Sequence, residues 1–218
     1  RPRDEIESLA GRLGAAGHEV VVHRFAPAGG YAGRSGRDGG IVEAIWESDR
    51  ACFEYARARS EALTLVLEED CEIEDAGGVA VAEQFIAAHP GAVDLFFLGA
   101  SPNCWWRPTA WPSVVRFSHA YWWHAVVFTS SFWERFDAPR TWRTANDIHF
   151  CPLIASGQVR AYGLRRQVAF QGDRRFRFAE RVLYGWRWGD GRQAAGAVVA
   201  GALLWRLARR ARDRGAVP

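Results

Sequence analysis

The chain has 218 residues, a formal net charge of +3 and 49% hydrophobic residues, enough for one well-filled domain with a tail. All 28 basic residues are Arg, which suits bidentate grips on anions, yet the mild net charge argues against a nucleic-acid-binding role. Four scattered Cys without a CxxC pair exclude a zinc finger and a disulfide scaffold, and point to a reducing compartment.

In chain order, Asp4 to Ala16 has helical spacing, with Ile6, Leu9 and Leu13 on one face, closed by Gly14 and Gly17. Glu19 to His23 reads as a strand and the Gly-rich Pro27 to Gly40 as a loop without phosphate-loop spacing. Ile41 to Ala62 is predicted as a long helix. Leu63 to Leu67 then forms a short apolar run that ends in Glu68-Glu69-Asp70. Such a run reads as an interior strand covered on both faces. Ligands of open α/β sheets bind beyond the carboxyl ends of such strands. Carboxylates gathered there repel unless a cation joins them, and oxygen-only ligands suit Mg²⁺ or Mn²⁺.

Val79 to His89 is predicted as a helix stopped by Pro90-Gly91, and Val93 to Leu98 as a second core strand. Trp105, Trp106 and Trp111 fall in a Pro-rich loop, where aromatic faces could stack on sugars or simply pack. Ala120 to Thr129 reads as a strand or strand pair. Ser130 or Ser131 would cap a short helix from Phe132 to Phe136. Asp147 to Ser156 reads as a further helix and Val159 to Leu164 as a last strand. Strands alternating with helices predict an α/β domain with a mainly parallel sheet flanked by helices.

Residues 179–218 differ from the rest. Ala194 to Trp205 is apolar but too short to span a bilayer, and it leads into Arg206, Arg209, Arg210, Arg212 and Arg214. The tail is either a helix on an anionic membrane surface or a packed helix with a solvated basic end.

Several of these pieces, in order, resemble glycosyltransferase family 25, the lipooligosaccharide and procollagen galactosyltransferases. Arg1-Pro2-Arg3-Asp4 resembles the turn after the family's first strand, so that strand is expected upstream of Arg1. Gly40 to Asp49 resembles the segment Gly-x-x-Gly-Cys-x-x-Ser-His, with Asp49 in place of the His. Leu65 to Asp70 resembles the Leu-Glu-Asp-Asp signature, with Glu69 in the middle. Asp94 to Gly99 resembles the Asp-x-x-x-Leu-Gly strand, and His119-Ala120-Tyr121 the His-Ala-Tyr motif. Asn146-Asp147-Ile148 stands where the family has an Asp opening a helix.

The resemblance covers roughly residues 1–175 and implies a glycosyltransferase-A fold, with a domain over 1–178. It implies an inverting, metal-dependent transfer of a hexose such as galactose from a uridine diphosphate sugar to a glycan or lipid-linked acceptor. The work would be cytoplasmic, at the inner membrane face, in lipooligosaccharide assembly. Glu68 and Asp70, alternate residues leaving an extended strand, would hold Mn²⁺ or Mg²⁺, with His149 as a third ligand or a structural His. Ser48, Asp49, Glu69 and Asp94 fall on the donor side, Glu69 pointing away to hold an Arg. Asp147 is either the general base or a helix-start acid. His119 either contacts phosphate or acceptor or is a buried structural His. Trp105 and Trp106 would border the acceptor. The alternative is a non-catalytic glycosyltransferase-like binding domain.

Overall fold

The computed structural model describes residues 10–15, 17, 40–59, 61–68, 71–100, 104–120, 123, 125–136 and 146–171. The expected strand Glu19–His23, the Gly-rich loop and the C-terminal tail lie outside the described residues. So do Glu69, Asp70, Tyr121 and the side chain of Asp147.

The helices are α1 (10–15), α2 (Gly40–Arg59), α3 (Gly77–Ala88), α4 (Ser130–Arg135) and α5 (Asn146–Ala155). The strands are β1 (Leu63–Leu67), β2 (Cys71–Ile73), β3 (Leu95–Gly99), β4 (Trp105–Pro108), β5 (Val114–His119), β6 (Ala125–Thr129), β7 (Ala161–Leu164) and β8 (Ala169–Gln171). Six strands form one sheet in the order β1-β6-β3-β7-β5-β4, and β2 pairs with β8 separately. This is an α/β architecture, a sheet flanked by helices.

The sheet is mixed rather than mainly parallel. Among the described strands only β3 and β7 pair in parallel; the other neighbours are antiparallel. Connection length explains part of this. A parallel link needs a crossover of a dozen residues or more. The β4–β5 link is too short for one, so the chain reverses into an antiparallel hairpin. The longer link through α3 does make β1 and β3 run the same way, but β6 inserts between them, antiparallel to both. As a result Leu67, Ala125 and Gly99 lie in register at one edge.

Period-two alternation sorts the side chains to two faces. One cross-sheet row runs Leu65, Val127, Phe96, Tyr162, Arg116, Arg107. α3 covers its middle through Phe85, whose ring lies 5.8 Å from Phe96 and 5.1 Å from Tyr162. Val79 and Ala82 of α3, Leu13 of α1, and Cys71, Ile73 and Ala169 from the β2–β8 pair join the same core. The opposite face is aromatic. Phe53 of α2 and Phe132 and Trp133 of α4 surround Phe128, while Phe150 of α5 meets Phe132 and Trp123.

Several sequence expectations shift. Trp105 and Trp106 are in strand β4, not in a loop, because the hairpin partner β5 pairs with them. Neither Ser130 nor Ser131 caps α4. Thr129 holds the N-cap position without a side-chain cap bond, and Ser131 Oγ donates to Val93 O at 2.9 Å. The β2–β8 pair and β4 were not foreseen; each is three or four residues long, below the length at which periodicity speaks.

At the β3 end, the 167–169 segment crosses close to the backbone. Val168 N donates to Leu98 O at 3.1 Å, and Ala100 N donates to Gln167 Oε1 at 2.9 Å. A Cβ on Gly99 would sit 2.3 Å from Ala169 O, so only glycine lets the two chains approach. Gly99→Ala is expected to destabilise the protein by about 1–3 kcal/mol, since backbone must move to relieve the clash. A denaturant titration measures it.

Candidate functional site at the carboxyl edge of the sheet

Glu68 leaves the end of β1 exposed to solvent, next to the edge at which Ala125 and Gly99 meet. Its carbonyl accepts from Cys71 N at 3.0 Å. An extended continuation of β1 would hold these two atoms far apart. Glu69 and Asp70 themselves lie outside the described residues.

α2 ends at Arg59, just before β1 begins, and its Phe53 sits over Phe128, the register partner of Thr64. The helix thus runs back along β1, and at 1.5 Å per residue it carries Ser48 and Asp49 toward the Glu68 end. Ser48 is buried and Asp49 half-buried. Burial pushes the nearby Cys52 thiol up to about 12, and the Asp49 charge adds to this, so Cys52 stays a protonated thiol and no nucleophile.

Asp94 is at the other end of β3. It is wholly buried, and its carboxylate accepts from Arg135 Nη1 at 3.0 and 3.1 Å, from Arg160 N at 2.7 Å, and from Arg160 Nε and Nη2 at 3.0 and 2.7 Å. Ser131 Oγ donates to it at 3.2 Å, and Arg160 Nη1 also donates to Gly91 O. The donor-binding expectation for Asp94 is thereby corrected. Its oxygens are committed to tying α4 and the start of β7 to β3, at the amino end of the strand.

His119 ends β5 with its ring 5.8 Å from that of Trp105, so these two predicted residues do come together. Trp105 is 61% exposed, whereas His119 Nδ1 is buried without a hydrogen-bond partner among the described residues. Trp106 is half-buried in the β4–β5 hairpin opposite Phe117. β1 and β5 are four strand spacings apart in the sheet, about 19 Å at the usual spacing. The Glu68 end and the His119–Trp105 pair are therefore not one cluster.

Asp147 is in the first turn of α5. After α5 the chain turns at Gly157, with Gly157 N donating to Ile154 O, and enters β7. The Asp147 end of the helix is thus the end farther from the start of β7. His149 stands edge-on to Phe150 at 5.0 Å, and burial lowers its pKa, so it is a neutral imidazole of the kind a metal ion can use. Among the described residues no three His, Cys, Asp or Glu side chains gather as a metal site. The described donor at the β1 end is Glu68, an oxygen ligand that fits a hard divalent ion.

One residue at this edge was missed in the sequence. Gln167 is buried, its Oε1 satisfied by Ala100 N and its Nε2 without a partner among the described residues. No sequence signal marks it, because β8 brings it to β3 only in the fold. Among the described residues no helix is long and apolar enough to cross a membrane. The sequence matches no protein-family model and no curated protein.

Proposed function

We propose that the chain is a metal-dependent glycosyltransferase that takes a sugar from a nucleoside diphosphate sugar, with a glycosyltransferase-A type of sheet. The observation that carries the reading is the shared edge at which β1 and β3 end around Ala125. It presents exposed Glu68 on one strand and, against the other, the Gln167 Nε2, which has no partner among the described residues. This is the edge of an α/β sheet where ligands bind.

Glu68 and Asp70 would hold Mn²⁺ or Mg²⁺, which when bound supplies positive charge to the leaving diphosphate. Gln167 Nε2 donates a hydrogen bond to the donor, and Ser48 and Asp49 approach its nucleotide from α2. Asp147 takes the proton from the acceptor hydroxyl, as inversion by direct displacement requires. Trp105, across the sheet from Glu68, offers an exposed aromatic face to a remote part of a glycan or lipid-linked acceptor. The reaction is placed at the cytoplasmic membrane face, with the basic tail as the membrane contact.

The test is release of nucleoside diphosphate from a panel of sugar nucleotides, with and without Mn²⁺, by wild type, Glu68→Ala and Asp70→Ala. Mn²⁺-dependent release by wild type is expected, falling about 100-fold or more in either variant. Donor binding without turnover would favour the non-catalytic alternative, which Asp49 at the family's His position supports. If wild type neither binds nor cleaves any donor, the proposal fails.

A further inference from the structure

The cross-sheet row that α3 covers at Phe96 and Tyr162 continues uncovered to Arg116 and Arg107. Where the sheet outruns the helix, an open pocket of about 330 Å³ remains. That volume is at the lower end of the range for small-ligand sites. Phe85, His89, Trp111 and Tyr162 form its walls, and Arg107 and Arg116 its rim.

Arg107 and Arg116 are direct register partners on adjacent strands, and both are exposed. Like charges placed opposite each other across a ladder destabilise a sheet. No acidic side chain lines the pocket, and neither guanidinium has an acidic partner among the described residues. Arg116 rests over the Tyr162 ring at 6.0 Å, which fixes it without neutralising it. Two adjacent guanidinium forks of this kind are complementary to one phosphate or carboxylate.

The walls specify the rest of the ligand. Trp111 is perpendicular to Phe85 at 5.4 Å, and Phe85 and Tyr162 are tilted by 50°. These rings offer apolar surface but no pair of parallel faces, so they do not make a slot for a flat base. They suit the uneven apolar face of a saturated ring. The hairpin that carries Trp111 is braced: Trp111 N donates to Thr109 Oγ1 at 3.1 Å, and Thr109 Oγ1 donates to Val114 O at 2.8 Å. His89 is held likewise, its Nδ1 2.8 Å from Phe85 O, which leaves Nε2 for a hydroxyl.

We propose that this pocket binds an anionic sugar, a hexose bearing a phosphate or a carboxylate, with the anion between Arg107 and Arg116 and the ring against Trp111. It is separate from the Glu68 edge: β1 and β4 are the two outermost strands of the described sheet. The inference does not depend on the transferase reading.

The test is calorimetric titration of the full chain with glucose 1-phosphate, glucuronate, glucose, inorganic phosphate and AMP, with tryptophan fluorescence in parallel. Saturable binding of glucose 1-phosphate or glucuronate is expected, about tenfold or more tighter than glucose and inorganic phosphate, and weakening as salt rises. The double variant Arg107→Ala/Arg116→Ala should lose about tenfold or more of that affinity, the effect of removing charge-assisted hydrogen bonds. Its thermal melt should be unchanged or improved, since a like-charge pair is removed. Trp111→Phe should abolish the fluorescence change while the anion still binds. The proposal is overturned if neither acidic sugar binds, if the double variant binds as well as wild type, or if inorganic phosphate or AMP binds as tightly as the acidic sugars.

Discussion

Asp94→Ala is expected to cost about 3–5 kcal/mol of folding stability, the range for removing one partner of a buried ion pair. The carboxylate is wholly buried and joins three separate segments: Arg135 and Ser131 of α4, Arg160 before β7, and its own strand β3. Without it two guanidiniums face each other over an empty acceptor site. Burial alone would raise the Asp94 pKa, but the hydrogen bonds and charge of Arg160, with Arg135 behind them, outweigh burial and hold it below its ordinary value. A carboxyl with a depressed folded pKa contributes stability that is present above its unfolded pKa of about 3.9 and is lost as pH falls through the folded value. The wild type should therefore lose stability steeply below about pH 4, and Asp94→Asn should show a shallower loss over the same window. Denaturant melts from pH 7 to pH 2 on both proteins measure this; superimposable pH slopes would refute the assignment.

Phe128→Ala is expected to cost about 3–5 kcal/mol by transfer and cavity terms together. Phe128 is 1% exposed in the centre of the aromatic face. It stacks on Trp133 at 4.9 Å, meets Phe132 edge-on at 5.0 Å, and receives Phe53 of α2 at 5.1 Å. Three elements therefore share one cavity, and rigid rings collapse into it poorly. Phe128→Leu should cost about half as much or less, because most of the volume is kept. The same substitution reports on function. Phe53 sets where α2 lies along β1, so if the proposed donor contact through Ser48 and Asp49 holds, sugar-nucleotide binding should weaken in Phe128→Ala at temperatures where the protein remains folded.

The long elements were legible in the sequence. α2, α3, β3 and α5 lie within a few residues of their predicted bounds, because their apolar spacing is carried by enough residues to define a period. The end of β1 was legible too, since an apolar run breaking into carboxylates is a local event. The role of Asp94 was not: a lone acid before an apolar strand looks the same whether its partners are a ligand or two arginines, and those partners are 41 and 66 residues away. Nor was the anion pocket foreseen. Trp105-Trp106-Arg107-Pro108 and Val114-Val115-Arg116-Phe117 each read as ordinary segments, and only hairpin register places one guanidinium against the other.

By itself, then, the sequence determined which of the longer segments are helix or strand, that they make an α/β domain, and that carboxylates follow the first core strand. Tertiary structure alone decided strand direction and neighbours, and through them which polar groups meet. Periodicity is a property of neighbouring residues, whereas the order β1-β6-β3-β7-β5-β4 depends on pairings between segments far apart in the chain, such as β1 with β6 and β3 with β7. Such pairings insert β6 between β1 and β3, commit Asp94 to the framework, bring Gln167 against the end of β3, and set Arg107 against Arg116.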